Sequence, residues 1–527
     1  MINIFRITIF FSLLILSGCV SETTTEAPDK PNIIVILADD MGYSDISCYG
    51  SEIQTPNIDQ LAGDGVKFTQ FYNTGRCCPS RTSLLTGMYS HRAGVGHMAA
   101  DYELPAYRGF ITDSALTIAE ALKPAGYKSY MIGKWHVGTE KPHWPLQRGF
   151  DKFYGSNTSQ GHYFRILENR KLIYDNQELE SVPDGWYATN AFTDSAIAFI
   201  QRHRQEQKDQ PFFLYLAYTA PHWPIHALEE DIALYEGKYL GGYDSVREAR
   251  YQRMLEMGLV KDAWSLSAPH EKVLSWSEVD QQEEDRRMAV YAAMIHRMDA
   301  GIGKLTASVN KLGIEENTII LFLSDNGGCA EVPGKNYPRI EGAAIGSPDS
   351  YEGVQLPWAN VNNTPYRYFK QYVHEGGIST PLIIKYPREI TQPGIVNHIP
   401  GHITDLMPTF LQLAGLQYDQ VADPAKHKTL DGMSIFPLEQ FGKEEERVLF
   451  WEHQGHQAVR KGNYKLVRLN RQPWELYDLD TDRSELNDLS ESQPEKKEEL
   501  LNLYLEWSGK NQVLPFDSVM VWRQKAS

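Results

Sequence analysis

The sequence predicts an α/β protein in two unequal parts. A large domain is built on a mostly parallel central sheet sandwiched by helices, and a small antiparallel sheet with a helix follows it. Three observations carry this. Apolar, largely β-branched or aromatic runs at 31–38, 211–218 and 318–324 show no alternation, the pattern of strands buried on both faces of a parallel sheet. Helical periodicity separates them, most clearly over 193–203 and 288–312. From about Arg447 the pattern changes to short alternating strands around 448–451, 458–460, 464–467 and 475–477, with Gly462-Asn463 as a tight turn and a last helix over 495–507.

The 527 residues suffice for a large core, and 42% hydrophobic with 23% charged residues is ordinary for a globular chain. The net charge of −17 argues against a nucleic-acid surface. It also means that an anionic substrate must be drawn in by local cations. The five cysteines, Cys19, Cys48, Cys77, Cys78 and Cys329, form no even framework, so disulfides are not expected to hold the fold.

At the N-terminus Arg6 precedes a short apolar run, Ile7 to Leu16, too short to span a bilayer. It ends Leu16-Ser17-Gly18-Cys19, which resembles a bacterial lipobox. The expectation is a signal peptide over 1–18, a lipidated Cys19 and a tether over 19–30, in an exported bacterial lipoprotein, periplasmic or cell-surface, held by its lipid alone. A plain secretory signal cut nearby is the alternative. No later run reaches 18 apolar residues.

Along the chain, the first strand ends in Asp39-Asp40-Met41-Gly42, two carboxylates where α/β sheets place their ligands. A short helix follows from Thr55, and Val66 to Thr69 leads to Cys77-Cys78-Pro79-Ser80-Arg81-Thr82-Ser83-Leu84-Leu85-Thr86-Gly87. Pro79 suits a first helical turn and Gly87 a helix stop, so Cys77 stands at a helix mouth that favours an oxyanion. Taken alone, Cys77 could equally be a buried thiol, half of a vicinal disulfide with Cys78, or half of a metal site.

A helix over 116–123 and a strand over 127–132 come next. Lys134 and His136 then share a face if the backbone is extended. A cation and an imidazole together can hold an anion and move a proton. His222 stands between Pro221 and Pro224 after the 211–218 strand. Residues 227–287 read as a charged, aromatic insertion, with Glu229, Glu230, Asp231, Tyr235, Tyr239, Tyr243, Arg247, Arg250 and Trp264. It is expected either to shape access to the site or to be a solvated excursion. The 318–324 strand ends in Asp325-Asn326-Gly327-Gly328. Asp39, Asp40, Asp325 and Asn326 make an oxygen-only set that suits Ca²⁺ or Mg²⁺ over zinc.

The stretch from Cys77 resembles the signature of the type I sulfatases, C-x-P-S-R-x-x-L-L-T-G, at every fixed position. Gly133-Lys134-Trp135-His136-Val137-Gly138, Ala220-Pro221-His222-Trp223-Pro224, and Lys370 five residues before Glu375-Gly376-Gly377 are similar to further motifs of that family. The resemblance covers about residues 31–490, with the insertion interrupting it. It implies an alkaline-phosphatase-like fold, with a catalytic domain over 31–445 and an α+β subdomain over 446–527. It implies that Cys77 is oxidised to formylglycine by a formylglycine-generating or anaerobic sulfatase-maturating enzyme. It implies a metal, most often Ca²⁺ with Mg²⁺ second, on Asp39, Asp40, Asp325 and Asn326 together with residue 77. The implied reaction is sulfate-ester hydrolysis of a sulfated glycan or aryl sulfate. One hydroxyl of the hydrated aldehyde attacks sulfur, Arg81, Lys134 and Lys370 stabilise the sulfuryl oxygens, His222 is the acid for the leaving alcohol, and His136 takes the second diol proton.

A phosphonate or phosphate ester hydrolase using the same formylglycine is the second reading, and a non-catalytic glycan-binding protein the third. Ser379 stands where the family usually has arginine, which puts the local ion pair in question. His162, Tyr163, Arg165 and Trp223 are candidate sugar contacts, with packing as the alternative for each.

Overall fold

The computed structural model describes residues 30–158, 161–334, 337–442 and 447–526. The expected signal peptide, Cys19 and all of the tether but Lys30 lie outside the described residues. Among the described residues, no helix is long and apolar enough to cross a membrane, and Cys48, Cys77, Cys78 and Cys329 are free thiols.

An 11-stranded sheet runs through the large domain. Its strands are β1 (Asn32–Asp39), β2 (Val66–Tyr72), β3 (Lys128–Lys134), β4 (Lys152–Ser156), β5 (Leu172–Tyr174), β6 (Gln177–Leu179), β7 (Phe212–Pro221), β8 (Thr318–Ser324), β9 (Ser379–Lys385), β10 (Ile395–Asn397) and β11 (Gly401–His402). The order is β10-β2-β9-β8-β1-β7-β3-β4-β5-β6, with β11 beside β2. The centre, β8-β1-β7-β3-β4, is parallel, whereas β9 runs antiparallel to both β8 and β2.

Strand β1 shows why its sequence lacks alternation. Ile34, Ile36 and Ala38 enter one apolar cluster, and Ile33, Val35 and Leu37 enter the cluster on the opposite face. With period-two side chains and helices on both sides, every position from Ile33 to Ala38 is apolar. The helices Ala188–Glu206 and Gln281–Lys311 contribute to the first cluster, and Leu406–Leu413 to the second.

The second sheet, β12 (Val448–His453), β13 (His456–Lys461), β14 (Tyr464–Arg468) and β15 (Glu475–Asp478), is antiparallel throughout. Gly462, with φ of 57°, and Asn463 make the turn between β13 and β14. One face, with Leu449, Trp451, Ala458 and Val467, packs on Tyr72, Val373 and Ile378 of the large sheet's region. The other, with Val459, Leu466 and Leu476, packs on Leu500, Tyr504 and Trp507 of the helix Pro494–Lys510.

Three expectations are corrected. The long helix starts at Gln281, not near 288, because the Asp280 carboxylate caps the N–H groups of Gln282 and Glu283 at 3.1 Å each. A polar first turn hides this from apolar periodicity. The helix Phe516–Ala526 was not expected, and its Val519 packs beside Tyr102, Ala106 and Tyr107. In the insertion, Tyr235, Tyr239, Tyr243, Arg247, Arg250 and Trp264 are buried, so these side chains do not stand in solvent. Arg250 bonds Asp45 at 2.7 Å and Glu52 at 2.8 Å. Asp45 in turn accepts the Gly42 N–H at 2.7 Å. The insertion thus braces the loop that follows β1.

Candidate active site

The carboxyl ends of β1, β3, β7 and β8 converge with the first turn of the helix Cys77–Thr86. Arg76 enters that helix in an extended conformation, Cys77 is its first residue, and Gly87 closes it with φ of 67°. The motif serine folds this entrance, since the Ser80 hydroxyl accepts the Thr74 N–H at 3.0 Å. Cys77 is buried, at the positive end of the helix.

Strands β1 and β8 are in register up to Ala38 and Ser324, so their next residues, Asp39 and Asp325, emerge side by side. Asp40 turns away from the strand with φ of 66°, a left-handed conformation that costs a non-glycine residue energy. Its N–H donates to Asp325 Oδ1 at 3.2 Å, and its Oδ1 accepts from Asn326 Nδ2 at 2.7 Å.

Each predicted cation finds an acid. Lys134 Nζ lies 2.6 Å from Asp39 Oδ2, and Lys370 Nζ 2.7 Å from Asp40 Oδ2. Arg81 differs from its expected place. Its Nε and Nη2 both donate to Asp325 Oδ2, at 2.9 and 2.8 Å, and its Nη1 donates to the Lys134 carbonyl at 2.7 Å. The guanidinium is therefore committed to holding Asp325 and the end of β3.

His136 Nδ1 is 3.6 Å from Cys77 Sγ. It reaches there through a left-handed backbone, φ of 58°, beyond the end of the strand, and not by extended alternation with Lys134. His222 Nε2 is 3.5 Å from Asp40 Oδ2, and its Nδ1 is 2.5 Å from the Trp223 carbonyl. A carbonyl only accepts, so Nδ1 carries a proton and Nε2 faces the acid.

The electrostatics follow from burial and close charges. Burial raises the Asp39 carboxyl, and Lys134 and Arg81 offset this only in part. Burial pushes Asp325 up to about 8, with Asp39 adding to the effect. For Asp40 burial also acts upward, but His222, Lys370 and Lys134 outweigh it and hold the carboxyl below its ordinary range. Burial pushes His136 and His222 down to about 4 each, so both imidazoles are neutral near pH 7. The Cys77 thiol is pulled well down by a hydrogen bond from Cys78, against burial, with Lys134 and His136 adding to it.

The donors fit a hard divalent cation. Asp39 Oδ1 and Asn326 Oδ1 are buried oxygens with no hydrogen-bond partner. Such groups are costly to bury unless a ligand satisfies them. Asp39, Asp40 and His222 place ligand atoms within 4.8 Å of one another, and Cys77, Cys78 and His136 form a second such group. Asp325 belongs to neither group, and Arg81 holds its Oδ2.

Of the candidate sugar contacts, Tyr163 is packing: its hydroxyl donates to the carbonyls of Thr219 at 2.6 Å and His222 at 2.9 Å. His162 is buried against the Pro348 carbonyl at 2.8 Å. Arg165 stands exposed 3.4 Å from Asp349. Trp223 Nε1 donates to Glu331 at 3.1 Å. The sequence reading missed Glu331, which lies in a loop with no periodicity to mark it.

Ser379 proves compensated from elsewhere in the chain. Arg483, beyond β15, donates to Ser379 Oγ at 3.1 Å and pairs with Glu375 at 2.8 Å. The ion pair is present, with its arginine supplied by the C-terminal region.

Residues 31–416 match the Sulfatase family, and residues 365–507 match the family described as N-sulphoglucosamine sulphohydrolase, C-terminal. An arylsulfatase of Klebsiella aerogenes is 35% identical over 78% of this chain and 90% of its own length. The N-acetylgalactosamine-6-sulfatase of Mus musculus is 29% identical over 86% of this chain and 75% of its own. The solved structure of Ps i-CgsB in complex with k-i-k-neocarrahexaose shares 27% identity, with a TM-score of 0.68 over 92% of this chain and 93% of that one.

Proposed function

This chain belongs to the sulfatase family and is a sulfuric ester hydrolase, and from that premise we propose that it removes sulfate from a sulfated carbohydrate with formylglycine at position 77 and a bound Ca²⁺. The observation that carries the assignment of residues is the convergence of Cys77, His136, Lys134, Asp39, Asp40, His222 and Lys370 in one buried cluster at the strand ends. The carbohydrate class rests on the oligosaccharide in the Ps i-CgsB complex and on the sugar named for the mouse relative.

Asp39, Asp40, Asp325 and Asn326 would hold the cation, with position 77 beside them. Bound there, it would supply Lewis acidity and fix the sulfate. Formylglycine would supply, as its hydrate, the attacking hydroxyl and a route to expel sulfate that serine or cysteine lacks.

The protein's own groups do the rest. Three carboxylates face three cations, Arg81, Lys134 and Lys370, so a divalent ion would leave the site positive and matched to an anion. Lys134 and Lys370 would stabilise charge on the sulfuryl oxygens. Arg81 positions Asp325. His136, neutral and beside position 77, is the base there. His222 presents Nε2 toward Asp40 and acts as the acid for the leaving oxygen only as the imidazolium, because the one proton of its neutral ring is on Nδ1 and bonded to the Trp223 carbonyl. Its imidazolium is favoured by the Asp40 carboxylate and opposed by burial.

The test is mass spectrometry of the Cys77 peptide, paired with turnover of p-nitrophenyl sulfate and p-nitrophenyl phosphate. The expected result is an aldehyde at 77, sulfate release, and its loss in Cys77→Ala. Full activity with unmodified Cys77 defeats the nucleophile, and preferred turnover of the phosphate defeats the substrate class. The signal peptide, lipidation at Cys19 and a maturating enzyme as partner belong to the same proposal. They rest on the sequence alone, and lipid on Cys19 of the membrane-extracted protein is their test.

A further inference from the structure

Glu331 stands at the mouth of the cluster. Its side chain is 26% exposed, whereas those of Asp39, Asp40 and Asp325 are at most 1% exposed, so it is the acid that a bound molecule meets first. Three other chain segments converge on it. Arg76, next to Cys77, pairs with Oε1 at 2.8 Å. Gln371, next to Lys370, donates to Oε1 at 2.8 Å. Trp223, next to His222, donates its Nε1–H to Oε2 at 3.1 Å. Lys370 itself lies 3.6 Å from Oε2, as does Cys329 Sγ. Every donor but Cys329 therefore adjoins or belongs to a group in the proposed chemistry.

About four acceptor positions are available to the carboxylate. Three are filled at 3.1 Å or less, and the fourth, on Oε2, takes the weak S–H donor of Cys329 at 3.6 Å, with Lys370 Nζ also 3.6 Å away. A hydroxyl is a stronger donor than a thiol and can take that position. Burial works against its charge, but Lys370 and Arg76 outweigh this and hold the carboxyl far below its ordinary range, so it is an acceptor and not an acid.

We propose that Glu331 is a specificity-determining residue, accepting a hydrogen bond from a free hydroxyl beside the scissile sulfate ester. The inference rests on the sugar-sulfate reading above and deepens it. Arg76, Gln371 and Trp223 are positioning residues that fix the carboxylate. A second sulfate in place of that hydroxyl would meet the Glu331 charge at close range, so sugars with a free neighbouring hydroxyl are selected over vicinally disulfated ones. An aryl leaving group carries no such hydroxyl and cannot use the contact.

The test compares matured wild type with Glu331→Gln and Trp223→Phe. The probes are p-nitrophenyl sulfate and a panel of galactose 2-, 4- and 6-sulfates and glucose 6-sulfate. Glu331→Gln is expected to lower kcat/KM on the best sugar sulfate by about 10- to 100-fold, the size of a charged hydrogen bond, and on p-nitrophenyl sulfate by less than about threefold. Trp223→Phe, which keeps all charges, is expected to lower only the sugar value, by a smaller factor. Equal losses on both substrates would show Glu331 merely supporting Lys370 and overturn the inference, as would no loss on either. Turnover of p-nitrophenyl sulfate with no sugar of the panel accepted overturns it while leaving the hydrolase standing. No turnover of any probe by matured wild type would defeat the hydrolase reading itself.

Discussion

Arg81 pairs with Asp325 through two nitrogens, Nε and Nη2, while its third, Nη1, holds the carbonyl of Lys134. A lysine would keep the charge but lose the fork. Arg81→Lys is therefore expected to weaken Ca²⁺ affinity by about 10- to 100-fold, the usual cost of losing an outer partner of a metal ligand. Calorimetric titration with Ca²⁺ measures this without any turnover. Asp39→Asn, which removes a proposed ligand, should abolish the binding and lower turnover by roughly 10³-fold, as several kcal/mol of charge stabilisation are lost. Unchanged Ca²⁺ affinity in both variants would place the cation elsewhere. The arginine was legible in the sequence as part of a motif, but its partner was not. Position 81 is near the acids only because β1 and β8 are neighbours, and nothing local in the chain says so.

At the scale of elements, β3 ends in the Gly133-Lys134 step that delivers the lysine to Asp39. Gly133 has φ of 97°, and a Cβ there would lie 1.9 Å from the Ala217 carbonyl oxygen of β7. Both the backbone and the neighbouring strand require glycine. Gly133→Ala is expected to destabilise the protein by about 2 to 4 kcal/mol, read from urea unfolding, and to lower activity by moving Lys134. A neutral result would mean that the two strands part easily at this point. The buried strands were readable because their two faces are both apolar, as Ile33 to Ala38 show. The insertion was not, because its tyrosines and arginines look like surface until the loop after β1 and the helix Gln281–Lys311 close over them.

At the scale of the whole molecule, a buried charge cluster joins the two sheets. Glu375 accepts from Lys465 at 2.9 Å and Arg483 at 2.8 Å, and Lys465 also bonds Glu485 at 2.8 Å. The rings of Tyr43, Tyr72, Trp264 and Tyr366 surround the Arg483 guanidinium at 4.8 to 5.9 Å. Removing one partner of a buried pair strands the other, so Arg483→Met is expected to cost about 3 to 5 kcal/mol. The double variant Ser379→Arg, Arg483→Ser, which returns the arginine to the position usual in the family, should recover part of this. No recovery would mean that the aromatic ring contacts, and not the ion pair, hold this junction. The cluster also sets a pH dependence. Burial would raise Glu375, but Lys465 and Arg483 outweigh it and hold the carboxyl at about 2 against an ordinary 4.5. A depressed carboxyl contributes stability above its unfolded value and loses it as the pH falls through the folded one. About 3 kcal/mol should thus disappear between pH 4.5 and 2. Acid unfolding of the Glu375→Gln variant, with that window flattened, is the check.

The sequence by itself determined the buried central strands, the helix that begins at Cys77, the acids at two strand ends and the family. These depend on local pattern: periodicity, a proline in a first turn, a glycine that closes a helix, and residue types at fixed spacing. Tertiary structure alone decided that Arg81 holds Asp325, that Arg483 stands in for an arginine absent at Ser379, and that Glu331 gathers residues adjoining three others of the site. Those partners lie between 39 and 255 positions apart in the chain, and an ion pair requires only that two charges meet in space, a condition that no local pattern encodes.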